Sequence, residues 1–571
     1  MKAVEALIAV ARGQTKADLV LKHAQVFNVF TGKFHRSDVA VCGGYIAGVG
    51  DYTGYEEINL ERKYLTPGFI DGHVHIESSM VSPVEFARVV VPCGTTTAVI
   101  DPHEVANVAG AAGIRYMLDA SEGLPLTVFM MLPSCVPAST MENSGARLLA
   151  EDLTQFIEHP RVLGLGELMD YGGVLKGDSI ILDKLKLMPA KRVDGHAPGL
   201  AGKELAAYAA AGIKSDHECV TPAEARERLA LGMYVMLREG SATRNLLDLL
   251  PVVDQYTTRH CLFVTDDRHP ADLISLGHIN HMVRLAVKAG CDLAHVLQMA
   301  TINTAEYFQL KELGAIAPGY RADMLVFDDL STWRPATVFK NGRVVAREGS
   351  PLFGGRKTAE QAIRDSLRLN MPSREKLKIP AHSEKALVIG LVPHQIITER
   401  LEIQAPIQDG GYIADPAVDL LKLAVFERHH HTGNVGSALV KGLGLRSGAI
   451  ASTVAHDSHN LIVIGADDDD ILLAAREIRR IQGGIAVVNQ GRVLHSLPLP
   501  LAGLMSEQDV FTVEKELSLL RQLARDLGVK PEYDPFMTLA FLSLPVIPAL
   551  KLTDLGLVDV AEFSLTPVSR N

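Results

Sequence analysis

"IDGHVHIESS", residues 70–79, sets His73 and His75 one residue apart at the end of an apolar run, with Glu77 just beyond. On an extended strand, side chains at i and i+2 point to the same face, so the two imidazoles can grip one cation. Neutral imidazole nitrogen suits zinc, iron and manganese-class ions. An isolated H-x-H is weak evidence, and by itself reads more simply as two polar side chains finishing a strand. Whether other apolar runs end in the same way decides between the two, and decides the fold.

They do. From about residue 67 to 312, short apolar runs alternate with helix-like segments, the rhythm of β/α units around a parallel sheet. The runs end at His75, Asp101, Glu167, His196, His217, Arg238 and Asp266, and a further run, "TVFMMLP", ends near Leu132. The seven steps between residues 75 and 266 average about 27 residues, close to the length of one βαβ unit. Eight such units predict a (β/α)8 TIM-like barrel, whose active site forms at the C-terminal ends of its strands. The reactive side chains fall where that fold needs them.

Working outward, the text on both sides of the barrel is β-rich. "ADLVLKHAQVFNV" and "DVAVCGGYIAGVG", with a turn at Gly43-Gly44, precede it. "ADMLVFDDL" and "ATVFKNGRVVAREG", with Asn341-Gly342 as a hairpin signal, follow it. Both segments are expected to build one small β-sandwich domain. The expected division is 1–66 (an N-terminal amphipathic helix and the first part of the sandwich), 67–312 (barrel), 313–380 (second part and linker) and 381–571 (a C-terminal α/β domain). The helix-like "TAEQAIRDSLRLN", residues 358–370, stands before the last boundary. In the C-terminal part, "GAIASTVA" and "NLIVIGA" read as buried strands and "DDDDILLAAREIRRIQG" as an amphipathic helix begun by Asp467–Asp470. "GIAVVNQGRVLHSLPL" reads as a hairpin turning at Gln490-Gly491.

Composition narrows the function. The 571 residues are 47% hydrophobic and 22% charged, with a net charge of −11. Nucleic-acid and membrane-surface binders need basic patches, so neither partner is expected, and a small-molecule substrate is. Six cysteines are scattered without a C-x-x-C pair, which argues against a disulfide framework and a thiolate zinc site. No uncharged apolar run approaches the roughly 20 residues of a membrane span. The expected location is the cytoplasm.

The strand-end residues suggest a division of labour. His73 and His75 would hold a first metal and His196 and His217 a second, with Glu167 bridging them. Alternation lets only one of Asp266 and Asp267 face the barrel mouth, and Asp266 is the choice. Two nearby cations lower the pKa of water toward neutrality. Asp266 could take the proton released as that water attacks, then pass it to the leaving group. Asp71 or Asp101 could orient imidazoles from behind. There is no G-x-S-x-G, no P-loop and no H-x-E…P-C-x-x-C.

"PGFIDGHVHIESS", "GTTTAVIDPHE", "GELMD", "GHAPGL", "SDHE", "REGSATRN" and "TDDRHPADL" together resemble the bacterial adenine deaminases of the amidohydrolase superfamily, and the likeness runs through nearly the whole chain. The resemblance implies a binuclear centre in a barrel and hydrolysis of adenine to hypoxanthine and ammonia. It also implies His73, His75, Glu167, His196, His217 and Asp266 as metal positions. Hydantoinase-like and dihydroorotase-like relatives usually bridge their metals with a carboxylated lysine from the fourth strand; Glu167 at that place favours the deaminase branch.

For a deaminase, ring protonation calls for an acid, and Glu77 and Glu104 are the candidates, with His103 beside them. Asp101, Arg238 and His456 are candidates for holding the substrate. The plainer readings are a helix start at Asp101-Pro102 and an ordinary ion pair at Arg238-Glu239. His456, Asp457 and His459 are expected to cover the barrel mouth, whereas His429–His431 are expected to serve as ordinary hydrogen-bonding residues. Manganese(II) or iron(II) is the expected metal, with zinc(II) compatible, and a homo-oligomer, simplest as a dimer, is the expected assembly. The rivals are a related hydrolase of another amino-heterocycle or cyclic amide, and a catalytically silent purine- or metal-binding protein.

Overall fold

The computed structural model describes residues 4–354 and 361–570. Eight parallel strands form the centre: β1 (Phe69–His75), β2 (Thr95–Ile100), β3 (Thr127–Leu132), β4 (Val162–Leu168), β5 (Arg192–Gly195), β6 (Ser215–Asp216), β7 (Tyr234–Arg238) and β8 (Cys261–Val264). One arc pairs β1 to β5 in order and a second pairs β6 to β8. Two links close the ring. Lys214 N–H donates to the Val193 carbonyl at 3.0 Å, and Asp266–Asp267, beyond β8, runs parallel to β1 with Asp266 opposite Val74. Each predicted strand end lies at, or within two residues of, an observed one.

Alternation along these strands separates two apolar layers. Val99, Met131, Met236, Leu262 and Val264 fill the barrel with Tyr307 and Phe308. Val74, Ala98, Ile100, Leu132, Val235 and Phe263 face outward to the helices. Because Val74 points out, His73 and His75 point in. The same count from Met236 and Val264 aims Arg238 and Asp266 at the barrel mouth.

Segments on both sides of the barrel share one nine-stranded sheet. Tyr64–Pro67 joins the halves, pairing with Ala17–Asn28 on one side and Met324–Phe327 on the other. The sheet folds over a core drawn from both segments, including Leu21, Val39, Ile46, Met324 and Phe339. The helix Val4–Ala11 covers the other face, placing Leu7 and Val10 against Val20 and Ala40. Gly43-Gly44 and Asn341-Gly342 take positive φ at both turn residues, which the twist of a two-residue hairpin requires.

The C-terminal region carries an eight-stranded mixed sheet. "GAIASTVA" and "NLIVIGA" supply its buried strands Ala449–Ser452 and Leu461–Gly465, and Gln490-Gly491 turns the hairpin Gly484–Asn489/Arg492–Pro498. Asp467 caps the helix Asp468–Arg480 by accepting the Asp470 N–H. The helix expected over 358–370 is not observed where residues are described: a single turn, Gln361–Ile363, leads into irregular chain, and residues 358–360 lie outside the description. Leu367 and Leu369 enter the core two residues apart, while Arg368 N–H donates to the Arg428 carbonyl. That spacing anchors an extended segment and not a helix face.

Candidate metal centre

The strand ends bring all six expected ligands together at the barrel mouth. His73 Nε2 and His75 Nε2 lie 3.1 Å apart, and Glu167 Oε1 is 3.1 Å from the first and 2.8 Å from the second. Asp266 Oδ1 is 3.2 Å from His75 Nε2. The other oxygen of Glu167 turns the opposite way, with Oε2 at 2.9 Å from His196 Nδ1 and 3.5 Å from His217 Nε2. One carboxylate therefore faces two pairs of imidazoles.

The donor set fits divalent cations. Glu167 Oε1 is buried beside two ring nitrogens and yet accepts no hydrogen bond. His75 Nδ1 lies 2.9 Å from the Asp101 carbonyl. A carbonyl can only accept, so Nδ1 carries a proton and Nε2 is left as the nitrogen that a cation would bind. Converging donor atoms repel unless a cation or protons lie among them. The nitrogen and oxygen ligands, without any thiolate, suit zinc, iron or manganese-class ions.

Charge is concentrated there. Burial alone would raise the pKa of Glu167, but His75, His217 and the hydrogen bond from His196 outweigh it and hold the carboxyl well below its usual range. Asp266 is held low in the same sense: burial opposes, while His75 and the Arg238 guanidinium prevail. Asp266 takes φ +56°, a left-handed conformation that Asp tolerates better than most residues.

The expected orienting groups act differently. Asp101 steadies His75 through its main-chain carbonyl, whereas its carboxylate accepts the His103 N–H at 3.2 Å and sits 3.5 Å from His103 Nδ1. Asp71 meets no ligand imidazole. It accepts the main-chain N–H of His73 and of Thr265, and stands 3.1 Å from His278 Nε2.

His103 joins the edge of the cluster, with Nδ1 at 3.7 Å from Glu167 Oε1. Glu104 reaches away into the C-terminal region, where His456 Nδ1 is 2.7 Å from Oε1 and His459 Nε2 contacts Oε2. Glu77 is buried, accepts the Val105 N–H with Oε1 and leaves Oε2 without a partner. Arg238 is an ion-pairing residue, bound to Asp266 and Glu218, and it does not pair with Glu239. His429, His430 and His431 each face a main-chain carbonyl, of Ser458, Ser144 and Arg368, which is the hydrogen-bonding role expected of them.

Residues 64–345 match the amidohydrolase family, and residues 395–564 match the adenine deaminase C-terminal domain. The chain is similar to "adenine deaminase 2" of Carboxydothermus hydrogenoformans, 63% identical over 569 residues and covering 100% of both chains. The chain belongs to the adenine deaminase family. It is also similar to the adenine deaminases of Dehalococcoides mccartyi, at 49% identity, and of Desulfatibacillum aliphaticivorans, at 47%, each covering 98% of both chains. Family membership implies a divalent metal centre. It also identifies the region supplying His456 and His459 as the adenine deaminase C-terminal domain.

Two members of this adenine deaminase site were not anticipated. Glu218 lies 3.5 Å from His217 Nε2 and 3.7 Å from His196 Nδ1, and it accepts from Arg238. Strand alternation would send it away from His217, but β6 ends at Asp216 and releases it. The "SDHE" motif was its only sequence signal. His278 reaches Asp71 across 207 residues of chain, without any local signal.

Proposed function

We propose that two divalent cations, manganese(II) or iron(II) first and zinc(II) also compatible, occupy this centre, and that adenine is hydrolysed there to hypoxanthine and ammonia. The observation that carries this reading is Glu167, which turns one oxygen to His73 and His75 and the other to His196 and His217. The full-length relatives point to the same substrate by name. When bound, the cation pair supplies Lewis acidity and lowers the pKa of water at the reacting carbon.

The remaining steps belong to the protein. Asp266, fixed by Arg238, accepts the proton released as water adds to C6 and returns it to the departing amine. Glu77 is the better candidate for protonating the ring, because one of its oxygens is unpartnered whereas both of Glu104's are taken. His103 and Asp101 border the same space, and the Asp101 carbonyl holds His75 in its ligand tautomer. Burial among apolar strands excludes bulk water from these transfers.

The test is to follow ammonia and purine absorbance together after adding adenine to manganese- or iron-loaded protein, with His75→Ala as control. Hypoxanthine formation that disappears in the variant supports both substrate and site. Absence of turnover with every metal rejects adenine and directs attention to other amino-heterocycles and cyclic amides.

We further infer purine salvage in the cytoplasm, the four-part division at residues 66, 312 and 380, and a homodimer. All six cysteines are free, and among the described residues no helix is long and apolar enough to cross a membrane. Sedimentation of the metal-loaded protein tests the dimer.

A further inference from the structure

At the junction of barrel and C-terminal domain, Ser78 and Asp267 face His456, Met537 and Phe541 across a narrow cavity. Ala242, Met537 and Phe541 also line a solvent-facing cleft, so the two spaces adjoin. The cleft holds about 370 Å³ and the inner cavity about 20 Å³. The inner cavity has room for about one water, so a flat ligand would have to displace Met537 or Phe541, which line both spaces, to reach His456. An apolar slot with a few fixed polar groups suits a heterocyclic base.

His456 is one of the fixed polar groups, beside Ser78 and Asp267. Ala455 N–H donates to His459 Nδ1 at 3.1 Å, so His459 carries its proton on Nε2 and gives it to Glu104. That tautomer makes His459 a donor and unsuited to a cation at this place. Glu104 accepts from His456 Nδ1 through its other oxygen, which leaves Nε2 as the free nitrogen of His456. Phe541 stacks on the ring, with centroids 4.6 Å apart and planes at 24°.

His456 also stands at a definite remove from the metal ligands. His103 is 3.7 Å from Glu167 on one side and 3.5 Å from Glu104 on the other, so one imidazole and one carboxylate separate His456 from the cluster. A base with its C6 amino group at the cluster turns its opposite edge, N3 and N9, toward the C-terminal domain.

We propose that His456 is a substrate-binding residue whose Nε2 hydrogen-bonds the N3/N9 edge of the base, making the C-terminal domain a wall of the substrate site. This rests on the adenine reading above. Either protonation state of Nε2 finds a partner at that edge: an N–H donates to N3, and a lone pair accepts from N9–H. A substituent on N9 meets the same wall, so free bases are preferred over nucleosides.

The test compares kcat/KM for adenine, 3-deazaadenine, 9-methyladenine and 7-deazaadenine in wild type and in His456→Ala and His456→Gln, at two manganese per chain and with unfolding curves matched. The expected result is a loss of about 100-fold for adenine in His456→Ala. 9-Methyladenine is spared if Nε2 accepts from N9–H and 3-deazaadenine if it donates to N3, so at least one of the two changes about threefold or less; 7-deazaadenine, which keeps both atoms, loses as much as adenine, and Gln restores part of the loss. An equal loss on all four bases, or no loss on adenine, overturns the contact. A wild type that turns over adenine without any His456 effect removes this contact alone. A wild type that neither binds nor turns over adenine removes the reaction reading and the contact with it.

Discussion

Arg238 Nη1 donates to Asp266 Oδ2 at 2.8 Å, while Asp266 Oδ1 faces His75 Nε2 at 3.2 Å. The same guanidinium donates from Nη2 to Glu218 at 3.1 Å. One planar fork therefore fixes two carboxylates on different sides of the barrel mouth. Lysine keeps the charge but cannot span both. Arg238→Lys is expected to lower kcat about 100-fold with metal content unchanged, because Asp266 loses its fixed orientation. Metal analysis beside steady-state kinetics checks this, and a wild-type kcat would count against the role given to Asp266.

A divalent cation that binds only the folded centre stabilises the fold. Metal-depleted protein is expected to unfold at a lower temperature and to regain stability as manganese is added. The gain is about 2.7 kcal/mol at a free concentration one hundred times the dissociation constant. Glu167→Ala removes the carboxylate that faces both histidine pairs, so its melting temperature should not respond to manganese. Scanning calorimetry across a metal titration reads the difference. An equal response in both proteins would place the bound ions elsewhere.

The barrel was legible because its polar strand ends recur at nearly even spacing and are reactive in type. His73, His75, Glu167 and Asp266 announce themselves by alternation within β1, β4 and the segment after β8. Contacts between residues far apart in the chain were not legible. Glu104 meets His456 and His459 across more than 350 residues, and nothing near "DPHE" indicates that its carboxylate is already engaged. Periodicity also misled where apolar residues anchor an extended segment, as Leu367 and Leu369 do.

Gly166 precedes Glu167 on β4, and a Cβ there would stand 2.0 Å from Asp101 Oδ2. Asp101 is buried and short, so it cannot swing clear, and its carbonyl holds the tautomer of His75. Gly166→Ala is expected to reduce kcat/KM at least tenfold and to weaken metal retention, through displacement of Asp101. Dialysis against a mild chelator followed by metal analysis compares the two proteins. Unchanged retention would show that Asp101 yields without moving His75.

Lys551 is fully buried, and its ammonium donates to the Ile396 and Phe541 carbonyls at 2.8 and 2.9 Å. Burial pushes its pKa down to about 7. Below pH 7 both folded and unfolded chains carry the charge, so the folded state bears the full cost of burying it. Between pH 7 and the ordinary lysine value near 10.4, the unfolded chain binds the extra proton, and stability rises with pH. Lys551→Met removes that proton, while the two carbonyls it abandons contribute a penalty that does not depend on pH. The stability of wild type relative to the variant should therefore climb by several kcal/mol from pH 7 to 10. Urea unfolding of both proteins at closely spaced pH values gives the slope, and parallel curves would mean that Lys551 keeps its proton throughout.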